Sequence, residues 1–252
     1  MNMTESSSAP VAPTPSQRVR AYAVHVYTAS GVGLAFLAAA EICAPAPDPR
    51  CVFALLFATV LIDATDGVLA RRWHVKKWAA AIDGRTIDDI VDYLTYTFLP
   101  LLLMARMGWL PDPAAVWVIP ALIASLFGFA NREAKDESGG FFLGFPSYWN
   151  VVAFYAGMFG GQASATITGA ITLALALLTV LPVRFLYPNL TPRPWRTIVL
   201  VGALLWLAAL VGLLVNYPSG PRWPALLSLI YPAFYTILSF VLQRSSRRAV
   251  GS

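Results

Sequence analysis

Apolar runs alternate with short polar stretches rich in Pro, Gly and charge along nearly the whole chain. Eight runs stand out, at 21–40, 51–71, 85–107, 114–130, 148–161, 165–185, 197–216 and 224–243. Most have the roughly twenty residues that a helix needs to cross a hydrocarbon core. Only a helix or a closed barrel satisfies its own backbone groups in lipid, and runs of this length are helical. The run at 148–161 is the shortest; Phe145-Pro146 and Gly160-Gly161 mark an end on either side. The pattern predicts an all-α polytopic membrane bundle of about eight helices. Residues 1–17, rich in Ser, Pro and Ala, predict a disordered tail. Residues 18–244 predict a single transmembrane domain, and 245–252 a short basic tail.

Composition agrees. The 252 residues are 58% hydrophobic and 12% charged, with a mean hydropathy of +0.63, whereas soluble domains are about a quarter charged. A net charge of +5 could suit nucleic acid, but the basic residues form no single patch. They recur between apolar runs. Of the 18 lysines and arginines, only Arg50, Arg106 and Arg222 fall on one side of the predicted topology, and fifteen fall on the other. That bias places both termini in the cytoplasm and excludes a nucleic-acid partner. No charged segment followed by an apolar one marks a cleavable signal. Cys43 and Cys51 make no zinc or redox motif. They fall at the outward loop between the first two runs, where an oxidising compartment permits a disulfide but spacing does not demand one.

Four carboxylates interrupt the apolar pattern. Asp63 and Asp66 lie in the second run and Asp88 and Asp92 in the third. Each pair is about one helical turn apart and so shares a face. The topology brings both pairs to the cytoplasmic leaflet. An ionised carboxylate in a membrane helix costs about 2.5–3.5 kcal/mol, and converging acids repel one another. Arg71 alone cannot neutralise four of them. A hard divalent cation, magnesium or manganese, is the simplest compensation. Gly67, Gly84 and Ala70 lie beside the acids and would let a bulky ligand approach the backbone; helix packing would explain each of them alone.

The pattern Asp63-x2-Asp66-Gly67-x2-Ala70-Arg71, then Gly84-x3-Asp88-x3-Asp92, resembles the signature of the CDP-alcohol phosphotransferase family, with all eight positions in order. The resemblance implies an enzyme that takes a CDP-linked substrate, usually CDP-diacylglycerol, transfers its phosphate-bearing group to an alcohol and releases CMP. It implies that Asp63, Asp66 and Asp88 hold two divalent ions, Mn²⁺ or Mg²⁺, and that Asp92 joins the metal site and acts as general base. It implies that Asp63, Gly67, Ala70, Arg71 and Gly84 line the CDP site. Two metals can clamp the attacking and leaving oxygens of an in-line displacement. His25, Thr28 and Ser30 lie at a similar depth on the first run; His25 and Thr28 are the candidates for nucleotide contact, with packing the alternative. Asp83 and Asp89 stand outside the pattern.

Twelve residues separate Arg71 from Gly84, where most of the family has eight or nine. That spacer, and eight runs rather than six, resemble the branch whose acceptor is choline. Serine, glycerol phosphate and inositol phosphate are the other acceptors to weigh. A phosphorylated acceptor calls for extra Arg or Lys, yet Arg132 and Lys135 are interleaved with Glu133, Asp136 and Glu137, which favours a cationic acceptor. A quaternary ammonium is held by aromatic faces, so Tyr96, Tyr148, Trp149 and Glu133 are the candidate choline contacts. An interfacial aromatic belt is the other reading of Tyr148 and Trp149. An ion-coupled transporter would show matching broken helices in two halves; every acid predicted to be embedded lies within 63–92. The oligomeric state stays open, a homodimer included.

Overall fold

The computed structural model describes residues 14–131, 135–136, 140–160, 162–191 and 193–250. Helix α1 (Pro15–Ile42) begins inside the stretch expected as tail, because Thr14 and Gln17 form a reciprocal cap on its first turn and Pro15 pre-sets the backbone. It pairs with α2 (Pro49–Arg72), which Asp48 caps through the Arg50 backbone N–H. A four-residue turn of helix, α3 (Val75–Trp78), follows and packs Val75 against Ala21 and Val24 of α1. The third expected run is one continuous rod of three parts: α4 (Gly84–Asp92), a π-helical stretch (Tyr93–Phe98) and α5 (Leu99–Arg106). Pro100 cannot donate to the Tyr96 carbonyl four residues back, and the widened turn lies directly before it.

Helix α6 (Ala115–Ala130) leads to a small sheet of β1 (Lys135–Asp136), β2 (Phe141–Leu143) and β3 (Arg184–Leu186). Its order is β1-β2-β3 and both pairings are antiparallel, with Phe142 opposite Phe185. Between β2 and β3 run α7 (Trp149–Met158) and α8 (Gln162–Val180). The run expected to stay helical to 185 ends at Val180, because the chain turns at Pro182 and gives its next residues to the sheet. Helix α9 (Trp195–Leu214) follows, then α10 (Arg222–Ser228) and α11 (Ile230–Val250). The interruption between the last two comes where Pro232 would have had to donate to Ser228.

The main core surrounds α5 and α7, where Leu101, Leu103, Met104, Trp149 and Phe154 are sealed from solvent. The outer surface is apolar as well: Leu204 and Leu205 on α9 are 67% and 68% exposed. Such a face suits lipid as its solvent and would be an aggregation liability in water. Among the described residues, four helices are long and apolar enough to cross a membrane: Pro15–Ile42, Pro49–Arg72, Trp195–Leu214 and the joined Arg222–Gln243. Ala115–Ala130 and Ser164–Val180 are apolar but shorter, and the ten residues of α7 reach only about 15 Å. The chain is a mostly helical membrane protein.

Candidate active site

Helices α2 and α4 meet with their acids facing. One carboxylate oxygen each from Asp63, Asp88 and Asp92 lies within 4.8 Å of the others, and all three side chains are half-buried. Asp63 accepts a 2.8 Å hydrogen bond from the Tyr96 hydroxyl, so the π-helical stretch contributes directly to the cluster. The three acids converge because α4 is held tightly against α1: Gly31 lets Val91 approach to where a Cβ would stand 2.6 Å from it.

Asp66 takes a different position. It also faces the cavity, but its carboxylate is buried and accepts a 2.7 Å hydrogen bond from Thr28 on α1. Thr28 is therefore a support for Asp66 and does not line the cavity. His25, expected as a nucleotide contact, is buried against the start of α4. A Cβ on Gly84 would lie 2.9 Å from His25 Cε1, so the space that Gly84 leaves open is filled by a protein ring. Ala70 packs against the small cluster of Ala21, Val24, Val75 and Ala79. Gly67 and Arg71 do face the cavity, with an Arg71 guanidinium nitrogen 3.5 Å from where a Gly67 Cβ would stand.

The cavity has a volume of about 430 Å³. Acids form one wall; the segment from β2 to α7 forms another, with Phe145 and Tyr148 opposite Tyr96. The Tyr96 and Tyr148 rings are 6.1 Å apart and the Phe145 and Tyr148 rings 6.5 Å apart. Ser125 on α6 fastens this segment, accepting from the Trp149 indole at 2.7 Å and from the Ser147 hydroxyl at 3.0 Å. Trp149 is fully buried in making that bond. It stands behind the wall and is not among the residues lining the cavity, unlike Tyr96 and Tyr148, the other described candidates for choline contact. Glu133 lies outside the described residues. Gly144 has φ +84°, and a Cβ there would meet the Thr179 carbonyl at 2.1 Å, so only glycine lets β2 turn this close to α8.

Several cavity residues carry no motif signal. Tyr187 stacks on Phe142 at 4.4 Å across the sheet, and both line the cavity. Arg85 and Asp89, one turn apart on α4, form an ion pair at 3.5 Å on its rim. Asp83 is the cap of α4: it accepts from the Arg85 backbone at 3.0 Å and from the Thr86 hydroxyl at 2.9 Å, and these bonds hold its carboxyl below the usual range. The Asp-x-Arg-Thr spacing at a helix start could have disclosed that role.

Three convergent carboxylates are a hard-oxygen donor set of the kind that holds Mg²⁺ or Mn²⁺. The site therefore fits a divalent cation. With aromatic rings facing the acids inside an apolar helical bundle, the fold and site are those of a membrane protein with a polar cavity able to hold a divalent cation.

The relatives name the particular chemistry. No protein-family model matches the chain. The chain is 36% identical over 241 residues to the phosphatidylcholine synthase of Pseudomonas aeruginosa, covering 94% of this chain and 97% of that one. It is 37% identical to the phosphatidylcholine synthase of Legionella pneumophila over 90% of each chain, and 32% identical to that of Rhizobium johnstonii over 91% and 93%. The chain belongs to the phosphatidylcholine synthases, within the CDP-alcohol phosphotransferase family.

Proposed function

We propose that this protein transfers the phosphatidyl group of CDP-diacylglycerol to choline and releases CMP. The observation that carries the reading is the juxtaposition of Asp63, Asp88 and Asp92 with a wall of Tyr96, Phe145 and Tyr148: pyrophosphate chemistry on one side, a quaternary-ammonium surface on the other. In the transfer, the choline oxygen bonds to the phosphorus that carries diacylglycerol, the pyrophosphate P–O bond breaks, and the hydroxyl proton passes to a carboxylate. Asp92 takes that proton. A divalent cation held there, Mn²⁺ or Mg²⁺ and two ions by family resemblance, would supply electrophilic activation of the pyrophosphate and charge neutralisation. Asp63 and Asp88 would hold it with Asp92; Asp66, oriented by Thr28, completes the set. Gly67 and Arg71 present the cavity floor to the nucleotide side of the substrate.

Choline, which has no N–H to donate, is held by the faces of Tyr96 and Tyr148. In this reading the acid cluster faces the cytoplasm from a bacterial inner membrane that the chain crosses about eight times, and the excess of basic residues on one side of the expected topology supports it. Pairing of two copies is compatible with its apolar surface. The deciding experiment is CMP release by the purified protein from CDP-diacylglycerol against a panel of choline, serine, glycerol phosphate and inositol phosphate. Choline alone should support turnover. A faster rate with a phosphorylated acceptor would overturn the assignment.

A further inference from the structure

Beside the acid cavity lies a second cavity of about 520 Å³, within the range of about 300–1,000 Å³ of ordinary ligand sites. It is walled by α7, α8, α9 and α11, and it shares Phe145, Pro146, Tyr148 and Pro188 with the acid cavity. Its polar side chains are largely turned to protein partners. The Tyr155 hydroxyl is bonded to Ser228 at 2.7 Å and accepts from the Trp206 indole at 3.1 Å; Tyr231 donates to the Val199 carbonyl, Tyr235 to the Leu186 carbonyl and Thr236 to the Pro232 carbonyl. What the walls offer an occupant is carbon.

The dimensions are those of a lipid tail. Along α7 the cavity extends from Tyr148 to Phe159, roughly 16 Å at helical rise. Along α8 it extends from Leu178 to Ser164, roughly 21 Å. Half of a bilayer's hydrocarbon core is about 15 Å. The groove starts at the shared wall, where the Phe145 backbone donates to the Leu178 carbonyl at 3.1 Å, and it runs away from the acids for about the depth of one leaflet. A molecule whose phosphorus sits at the acid cluster has its glycerol at this wall and an apolar chain to place beyond it.

We propose that the groove between α7, α8, α9 and α11 holds one acyl chain of the lipid substrate, so that the C-terminal helices form the tail subsite of the enzyme. This rests on the CDP-diacylglycerol reading above. The groove selects for chain length: Ala156 and Ile171 line its length on opposing helices, and a bulky side chain at either position shortens the usable channel.

The test compares kcat/KM for dipalmitoyl and dihexanoyl CDP-diacylglycerol in detergent, each at saturating choline. Ala156→Trp and Ile171→Trp should lower the long-to-short ratio at least about tenfold, the loss of burial of roughly two methylene groups. Leu204→Trp, on the lipid-facing side of α9 and outside the groove, should leave it unchanged. An unaltered ratio in both folded groove variants, or an equal fall in Leu204→Trp, overturns the proposal. A CDP-diacylglycerol carrying a diazirine at the end of one acyl chain gives a readout independent of turnover. It should label peptides of α7 or α8 in the wild type and lose that labelling in Ile171→Trp. Labelling confined to other helices overturns the groove. Labelling in the groove by a protein that releases no CMP would support the groove while defeating the activity.

Discussion

The four acids of the motif have separate physical situations. Asp63, Asp88 and Asp92 converge on one point, while Asp66 is turned into a buried bond with Thr28. Asp92 stands at the junction of α4 with the π-helical stretch, a position where rare helix geometry often accompanies function. Asp92→Asn keeps an oxygen for a cation but removes the proposed base. CMP release should fall by about 10²–10⁴-fold, the usual worth of a positioned base, with CDP-diacylglycerol binding retained in a pull-down or titration. Loss of binding as complete as the loss of turnover would reassign Asp92 to substrate binding. On the opposite wall, Tyr96→Ala or Tyr148→Ala should raise the choline KM about tenfold, consistent with a desolvated cation–π contact of about 2 kcal/mol, and leave the KM for CDP-diacylglycerol nearly as it was. Steady-state kinetics with each substrate varied in turn checks this. Tyr96→Phe should retain the choline KM better than Tyr96→Ala but lose the bond to Asp63.

At the scale of elements, the position of α4 decides the site. Gly84 opens α4 beneath the His25 ring of α1, and a methyl group there cannot be accommodated without moving the ring or the helix. Gly84→Ala should destabilise the protein by about 1–3 kcal/mol, the typical cost of overpacking, seen as a lowered Tm in detergent and as reduced activity. His25→Ala in the same chain should restore most of the loss. A double variant no better than Gly84→Ala would show that Gly84 answers to something other than that ring. The sheet is the second deciding element. It ties the segment after α6 to the segment after α8, so that Phe142 and Tyr187 stack and the aromatic wall has a rigid backing.

For the whole molecule, an apolar exterior surrounds a polar cavity lined by acids. Excess chelator should stop CMP release, with Mn²⁺ or Mg²⁺ restoring it; full activity in chelator would exclude a divalent cation from the reaction. The orientation has its own test. Cys43 and Cys51 are both free and exposed, at the end of the molecule opposite the basic turn that holds Lys76 and Lys77. A membrane-impermeant maleimide should label them in intact spheroplasts, whereas Lys76→Cys in a chain with both native cysteines replaced should react only after lysis. The reverse pattern would invert the topology.

Much of this was determined by the sequence alone, where the physics is local. Runs of apolar residues form helices because lipid offers no other partner to the backbone, so the helical class follows from the hydrophobic pattern; of the eight runs expected to span, four are long and apolar enough among the described residues. The spacing of Asp63 with Asp66 and of Asp88 with Asp92 placed each pair on one helical face, and Tyr96 and Tyr148, singled out as aromatic contacts, line the same cavity as the acids. Tertiary structure decided what depends on distant partners. Asp66 bonds to Thr28, thirty-eight residues away, and no periodicity within α2 distinguishes it from Asp63. Gly84 and Trp149, both expected at ligand contacts, each meet a partner on another helix, His25 and Ser125, and neither neighbour is visible in the local pattern. Tyr187 reached the cavity only because β3 pairs with β2, and that pairing also ended α8 at Val180. Local sequence dictates which faces a helix can present; which neighbour each face meets is settled only when the helices pack.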